Sequence, residues 1–181
     1  MTALPTNLTA GTWNIDPVHS SFGFSVRHSG VSKVRGEFED IAGTIEIGEQ
    51  FEDTTITASA KIDSVNTKNE QRDGHLKSGD FFLAEEYPEM TFAATQIKDF
   101  DGEDFVLVGD LTIRGVAKSV EFAASFNGVS TGGETPVAGF EASATINRKD
   151  FGLSFDVVLP GGDLLVGDKV KISIDIEAAK A

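Results

Sequence analysis

Along most of the chain apolar and polar residues alternate, the spacing of a strand with one face packed and the other wet. The cleanest stretch lies near the C-terminus, where Val170, Ile172, Ile174 and Ile176 oppose Lys169, Lys171, Ser173, Asp175 and Glu177. Phe22, Phe24, Val26 and His28 share one face, as do Ile56, Ala58, Ala60 and Ile62, and then Met90, Phe92 and Ala94. Val120, Phe122, Ala124 and Phe126 make another such set, and Phe140, Ala142, Ala144 and Ile146 a further one. Phe105 to Ile113 reads as a strand with apolar residues on both faces. Between Val34 and Ile47 the apolar set changes parity, which predicts a bulge or sharp bend after Gly43. The count is about eight strands. The fold class is all-β, and a sheet that bends so strongly favours a closed antiparallel barrel, which also hides edge strands.

The punctuation supports sequential pairing. Asp101-Gly102 and Asn127-Gly128 are short-range turn signals, and Arg114-Gly115 separates two β-like runs. One segment breaks the alternation: Thr67-Lys68-Asn69-Glu70 has capping-box spacing and Gly79 offers a stop, which predicts a short polar helix over about residues 68–78. With Gly74 inside it, that helix depends on Leu76, Phe81 and Phe82 for packing and is expected to close one barrel end. Residues 1–11 read as a flexible tail and residues 12–181 as a single barrel domain.

Composition narrows the function. The 181 residues carry 15 basic and 29 acidic side chains, a formal charge of −14, which disfavours nucleic acid and anionic membrane surfaces as partners. There is no cysteine, so disulfides, thiolate metal sites and a cysteine nucleophile are excluded. His19, His28 and His75 lack the close pairing of a metal motif, and no cofactor is expected. No G-x-S-x-G elbow, Walker motif or G-x-G-x-x-G is present. The N-terminus shows neither a basic n-region nor an apolar run of roughly 7 to 15 residues, and no window reaches the about 18 apolar residues of a spanning helix. A cytoplasmic location is expected, with an exported mature form as the alternative.

The 14 phenylalanines are the informative group. Alternation aims Phe22, Phe24, Phe38, Phe92, Phe122 and Phe140 at one interior, shared with the small residues Gly36, Ala58, Ala60, Ala94, Ala124, Ala142 and Ala144. Such a mixture fits a narrow apolar tunnel and equally a dry, filled core. Val26, Ile62, Leu76, Phe81, Phe82, Leu111 and Ile113 complete the candidate lining. His28, Arg72, Asp80 and Arg148 are the polar candidates for a ligand headgroup.

Several ordered blocks resemble a known family. Trp13-Asn14-Ile15-Asp16-Pro17-Val18-His19-Ser20 resembles the opening signature of the YceI-like family of bacterial polyisoprenoid-binding proteins. The likeness continues at Phe24-Ser25-Val26-Arg27-His28, at Gly36-Glu37-Phe38, over Asn69 to Phe82 (NEQRDGHLKSGDFF), and at Tyr87-Pro88 and Phe92. Gly109 to Val116, Ile146 to Leu153 and Val166 to Val170 are similar to its later blocks. The resemblance implies a lipocalin-like barrel with a long-chain lipid inside and no catalytic activity. The expected function is binding, transport or storage of an isoprenoid of the polyprenyl phosphate or quinone type, with fatty-acid-like chains as related ligands.

Two rivals belong to other classes. One is an enzyme acting on an amphiphilic substrate, with His28 or His75 as base and Asp73 or Asp80 orienting it. The other is a filled barrel serving as a scaffold. A homodimer is expected through apolar residues on the outer face of Phe105 to Ile113.

Overall fold

The computed structural model describes residues 2–162 and 164–181. Its strand segments are β1 (Gly11–Ile15), β2 (Ser21–His28), β3 (Ser32–Phe38), β4 (Ile41–Ile47), β5 (Thr55–Lys61), β6 (Val65–Asn66), β7 (Glu89–Lys98), β8 (Asp104–Ile113), β9 (Val116–Ser130), β10 (Val137–Asn147) and β11 (Val166–Lys180). Among the described residues there is one α-helix, α1 (Glu70–Lys77), with three 3-10 turns: η1 (Phe51–Asp53), η2 (Ile62–Ser64) and η3 (Arg148–Phe151).

These segments make eight staves, because three staves are each broken in two. β11 gives one edge to β10 and the other to β2 over Val166–Asp175 and then to β1 over Ala178–Lys180. β1 and β2 are therefore one stave, interrupted where residues 16–20 loop out opposite Glu177. Asp16 donates its amide to the Glu177 carbonyl, and the Glu177 amide donates to Ser20 Oγ. β3 and β4 form a second bent stave, bracketed by β5 and β6: the Lys61 amide donates to Asp40 and the Glu39 amide to Ser64. All pairings are antiparallel, and the order β1-β4-β5-β7-β8-β9-β10-β11 returns to β1, closing the barrel. Closure satisfies strand edges that would otherwise need covering.

The parity break expected after Gly43 falls earlier. Phe38 and Ile41 are both buried while Glu39 and Asp40 between them are exposed, so two consecutive polar residues turn the stave and reset its inward face. Ile62, expected to extend the strand of Ile56, instead enters η2, where its amide donates to the Pro88 carbonyl. β8 alternates more strictly than expected: Phe105, Leu107, Leu111 and Ile113 are buried, while Val106 and Val108 on the outer face are half-buried. Neither stands among the exposed large hydrophobic residues, so the outward apolar patch on which the dimer expectation rested is only partly open to a partner.

Two turn signals hold and one changes meaning. Arg114 (φ 49°) and Gly115 (φ 73°) are the two-residue link between paired Ile113 and Val116, the left-handed pair a tight hairpin requires. Asp101 accepts the Glu103 and Asp104 amides on one carboxylate oxygen, turning β7 into β8. Asn127-Gly128, by contrast, lies inside β9. Gly139 pairs with Gly128 and Phe140 with Phe126, so Asn127 is an extra residue, and Gly128 at φ 120° absorbs the bulge. The chain reverses instead at residues 131–136.

The helix starts at Glu70 rather than near Lys68. Asn69 is its cap, accepting the Arg72 amide at 2.9 Å. Thr67, the expected cap, is buried and accepts from Arg72 Nε instead. The described part of the expected flexible tail, residues 2–11, folds back on the barrel; Met1 lies outside the described residues. Leu8 is 3% exposed, and Thr2 donates through its amide and hydroxyl to the Glu52 carboxylate while accepting the Phe51 amide. Apolar Leu4 and Leu8 give this segment something to bury, which a reading based on missing alternation overlooks.

Candidate functional site

The barrel interior holds two apolar chambers, stacked along its axis and sharing Phe22 and Met90 as common walls. The larger, of about 120 Å³, lies toward η1; the smaller, of about 80 Å³, lies toward α1. At the roughly 10–15 Å³ that one water requires, the larger has room for on the order of ten water-sized spheres. Apolar cavities of this kind stay dry or take apolar guests. The interior is thus not the fully filled core that mixing large and small residues also allows.

Alternation places the lining. Phe92, Leu111, Phe122 and Phe140 face the η1-side chamber, beside Ala58, Ala60, Ala124 and Ala142, whose short side chains leave the space. Phe24, Val26, Phe38, Leu76, Phe81, Phe82 and Ile113 face the α1-side chamber. Of the expected lining residues, Ile62 alone faces neither: it opens the η2 turn and is 2% exposed. Sequence reasoning passed over Ile45, Ile47, Met90 and Phe51, and also the inward row of β11, Val170, Ile172, Ile174 and Ile176. The last was legible, since that row is the most regular alternation in the chain.

The two ends are closed by different chemistry. At the η1 end, Phe51 (1% exposed) stacks on Phe100 with ring centroids 3.8 Å apart and meets Phe105 edge-on at 5.0 Å. Leu8 and Trp13 are buried in the same core cluster. At the α1 end, the aromatic contacts Phe38–Phe82 and Phe81–Phe155 are edge-on and tilted, at 5.7 and 5.2 Å. There, three arginines tie the closing segments to backbone oxygens. Arg72 Nη2 donates to the Thr67 carbonyl, and Arg114 Nη1 donates to the carbonyls of Gly79 and Phe81, each at 2.8 Å.

Arg148 is 4% exposed, and its stem lines the α1-side chamber. Its Nε donates to the Gly167 carbonyl, Nη1 to Leu153 and Nη2 to Val166, with carboxylates of Asp156 at 2.9 Å and Asp168 at 3.5 Å. A buried charge needs such satisfaction. Lys149 contacts the same two carboxylates, and its hydrogen bond, followed by that of Arg148, holds Asp156 below the usual carboxylate range.

The four headgroup candidates all belong to the α1 end. Arg148 and Arg72 direct donors at protein oxygens. Asp80 is exposed and receives His75 Nε2 at 2.8 Å, while His28 ends β2 half-buried, its Nδ1 3.3 Å from Ser29 Oγ. Of the His–Asp pairings in the enzyme rival, the structure forms His75–Asp80; Asp73 instead accepts the Thr67 amide and hydroxyl. A further depression of about 520 Å³ spans β8 to β11, bordered by Asp104, Glu141 and Asp175 and sharing Phe105, Ala124, Ala142 and Ile174 with the η1-side chamber. No helix among the described residues is long and apolar enough to cross a membrane.

Comparison with known proteins places this architecture. The model of the YceI-like domain matches residues 13–178. The UPF0312 protein of Staphylococcus aureus strain MSSA476 is 38% identical over 169 residues, covering 91% of this chain and 95% of that protein. Among solved structures, the Campylobacter jejuni YCEI protein superposes with a TM-score of 0.72 at 31% identity, over 86% of this chain and 90% of the other. Burkholderia cenocepacia BcnA gives 0.74 at 20% identity, over 90% and 98%. A polyisoprenoid binding domain from Saccharophagus degradans, implicated in plant cell wall breakdown, gives 0.71 at 15%, over 96% and 100%. The last two likenesses establish the fold alone. The chain belongs to the YceI-like family, and its fold is that family's eight-stranded antiparallel barrel with one short helix.

Proposed function

We propose that this YceI-like chain binds a long, slender apolar lipid, an isoprenoid chain foremost, inside its barrel and acts on it as a carrier or store rather than as an enzyme. The observation that carries this reading is the pair of stacked apolar chambers. Each CH₂ moved from water into them contributes about 0.8 kcal/mol, less the cost of ordering the chain. Two narrow chambers that share Phe22 and Met90 suit a linear tail better than a rigid ring system. Affinity then comes from the tail, and discrimination among quinone, phosphate and carboxylate headgroups falls to the α1 end.

That end is also the proposed way in. Opening it displaces a helix with no buried residue, breaks arginine hydrogen bonds worth about 0.5–1.5 kcal/mol each and uncovers Phe81, whereas opening the η1 end exposes the buried rings of Trp13, Phe51 and Phe105, worth about 1.5–3 kcal/mol apiece. Organic extraction and mass spectrometry of protein purified from a bacterial host tests the reading. A near-stoichiometric polyprenyl or quinone species is expected. A clean extract that stays clean after incubation with such lipids overturns it, and ester turnover that disappears in His75→Ala overturns its non-catalytic part.

A further inference from the structure

On a chain of net charge −14, one region of the surface is cationic. The outer faces of β11, β2 and β3 at the α1 end carry exposed Lys169, Lys171, Arg27, Lys33 and Arg35. Strand register brings them together: Arg27 faces Lys33, Ser25 stands between Lys171 and Arg35, and Gly167 abuts the Arg27 backbone and Cβ. Among the described residues none of the five forms a salt bridge; those at this end are made by Lys149, Arg148 and His75. Along the same strands toward the η1 end the sign changes, with Glu37 and then Asp175 in the outward rows. Glu49, Glu52, Asp53, Asp99, Asp101 and Glu103 occupy the η1-end loops.

Apolar side chains stand at the tip of this cationic face. Val31 is 83%, Val158 66% and Val157 40% exposed, three of the four exposed large hydrophobics among the described residues. They belong to one surface. The Ser29 amide in the β2–β3 tip donates to the Leu165 carbonyl, the Leu165 amide donates to Val157, and Val158 bridges to Leu164. The inward residues of these strands, Val26, Val166 and Val170, line the α1-side chamber.

We infer that this face docks on an anionic lipid bilayer, with the valine tips entering the headgroup region and the five cations facing lipid phosphates. Basic residues beside apolar points are what an interfacial lipid surface selects. The acidic η1 end does not oppose it, because across a barrel with strands of up to 15 residues that charge lies several times the roughly 8 Å screening length away. Docking sets the α1 end against the membrane. It is independent of what the chambers hold, so cargo-free vesicles test it without testing lipid uptake.

The test is flotation of the full chain with phosphatidylcholine vesicles and with mixed phosphatidylcholine–phosphatidylglycerol vesicles. Binding to the mixed vesicles is expected at about 0.15 M salt, falling as salt approaches about 1 M, where the screening length is about 3 Å. Arg27→Gln with Lys33→Gln removes two charges at about fivefold each, a loss of about 25-fold. Val31→Asp lowers binding further, and Lys98→Gln at the opposite end leaves it within about twofold. Melting curves matching the native protein's establish that the variants are folded. Absence of native binding, equal binding to phosphatidylcholine alone, or a double variant that binds like the native chain overturns the inference.

Discussion

The two ends of the barrel solve the same problem in opposite ways. The η1 end is sealed by stacked rings and by an N-terminal segment that buries Leu8. The α1 end is covered by a helix with no buried residue and by segments that bury Phe81, Phe151 and Leu153 and are held through Arg72, Arg114 and Arg148. Apolar burial is lost only when surface is exposed to water, so a ring plug resists partial opening. Hydrogen bonds to backbone carbonyls can be exchanged for water one at a time, at small net cost each. Under the proposed function the first end is the floor of the barrel and the second its door.

The sharpest way to break this contrast is at the floor. Phe51→Ala removes a 1%-exposed ring and should lower stability by about 3–5 kcal/mol, read by denaturant unfolding. A loss under about 1 kcal/mol means that the plug relaxes and is no floor. At the door the effect should be kinetic. Arg114→Ala deletes the donors to Gly79 and Phe81 and should cost only about 1 kcal/mol while speeding lipid exchange between protein and vesicles several-fold. Unchanged exchange places the way in elsewhere.

The smallest effect is acidification. Lys149 and Arg148 hold the Asp156 carboxyl below its ordinary value, so its pairing contributes fully above about pH 4. As pH falls through the lowered folded value the carboxyl protonates and that contribution disappears. Amide exchange in residues 152–157 should therefore rise below about pH 4 before the strands lose protection. Simultaneous loss across the barrel contradicts a separately held door.

Much of this was legible in the sequence because a strand's period of two is hard to imitate. Phe22, Phe24, Phe92, Phe122 and Phe140 point inward as their spacing requires. The bend escaped correct placement because Gly43 looked like the natural hinge, whereas two polar residues, Glu39 and Asp40, make it. Asn127-Gly128 serves a bulge as well as a turn, and only the partner strand decides which. Arg148 gives no local sign of burial, since the oxygens that satisfy it come from residues 153, 156, 166, 167 and 168. The cations of the docking face look scattered for a related reason: they come from strands far apart in sequence and meet only through register.

The central claim is that lipid lies inside the barrel, and filling the barrel tests it most directly. Ala142 lines the η1-side chamber, and Ala142→Phe puts a ring into that space. Native mass spectrometry after incubation with a long-chain isoprenoid quinone should show one lipid bound to the native protein. It should show none, or a marked loss of occupancy, for the variant with an unchanged fold by circular dichroism. Equal occupancy in the two proteins would contradict the account, because the tail would then not enter the η1-side chamber.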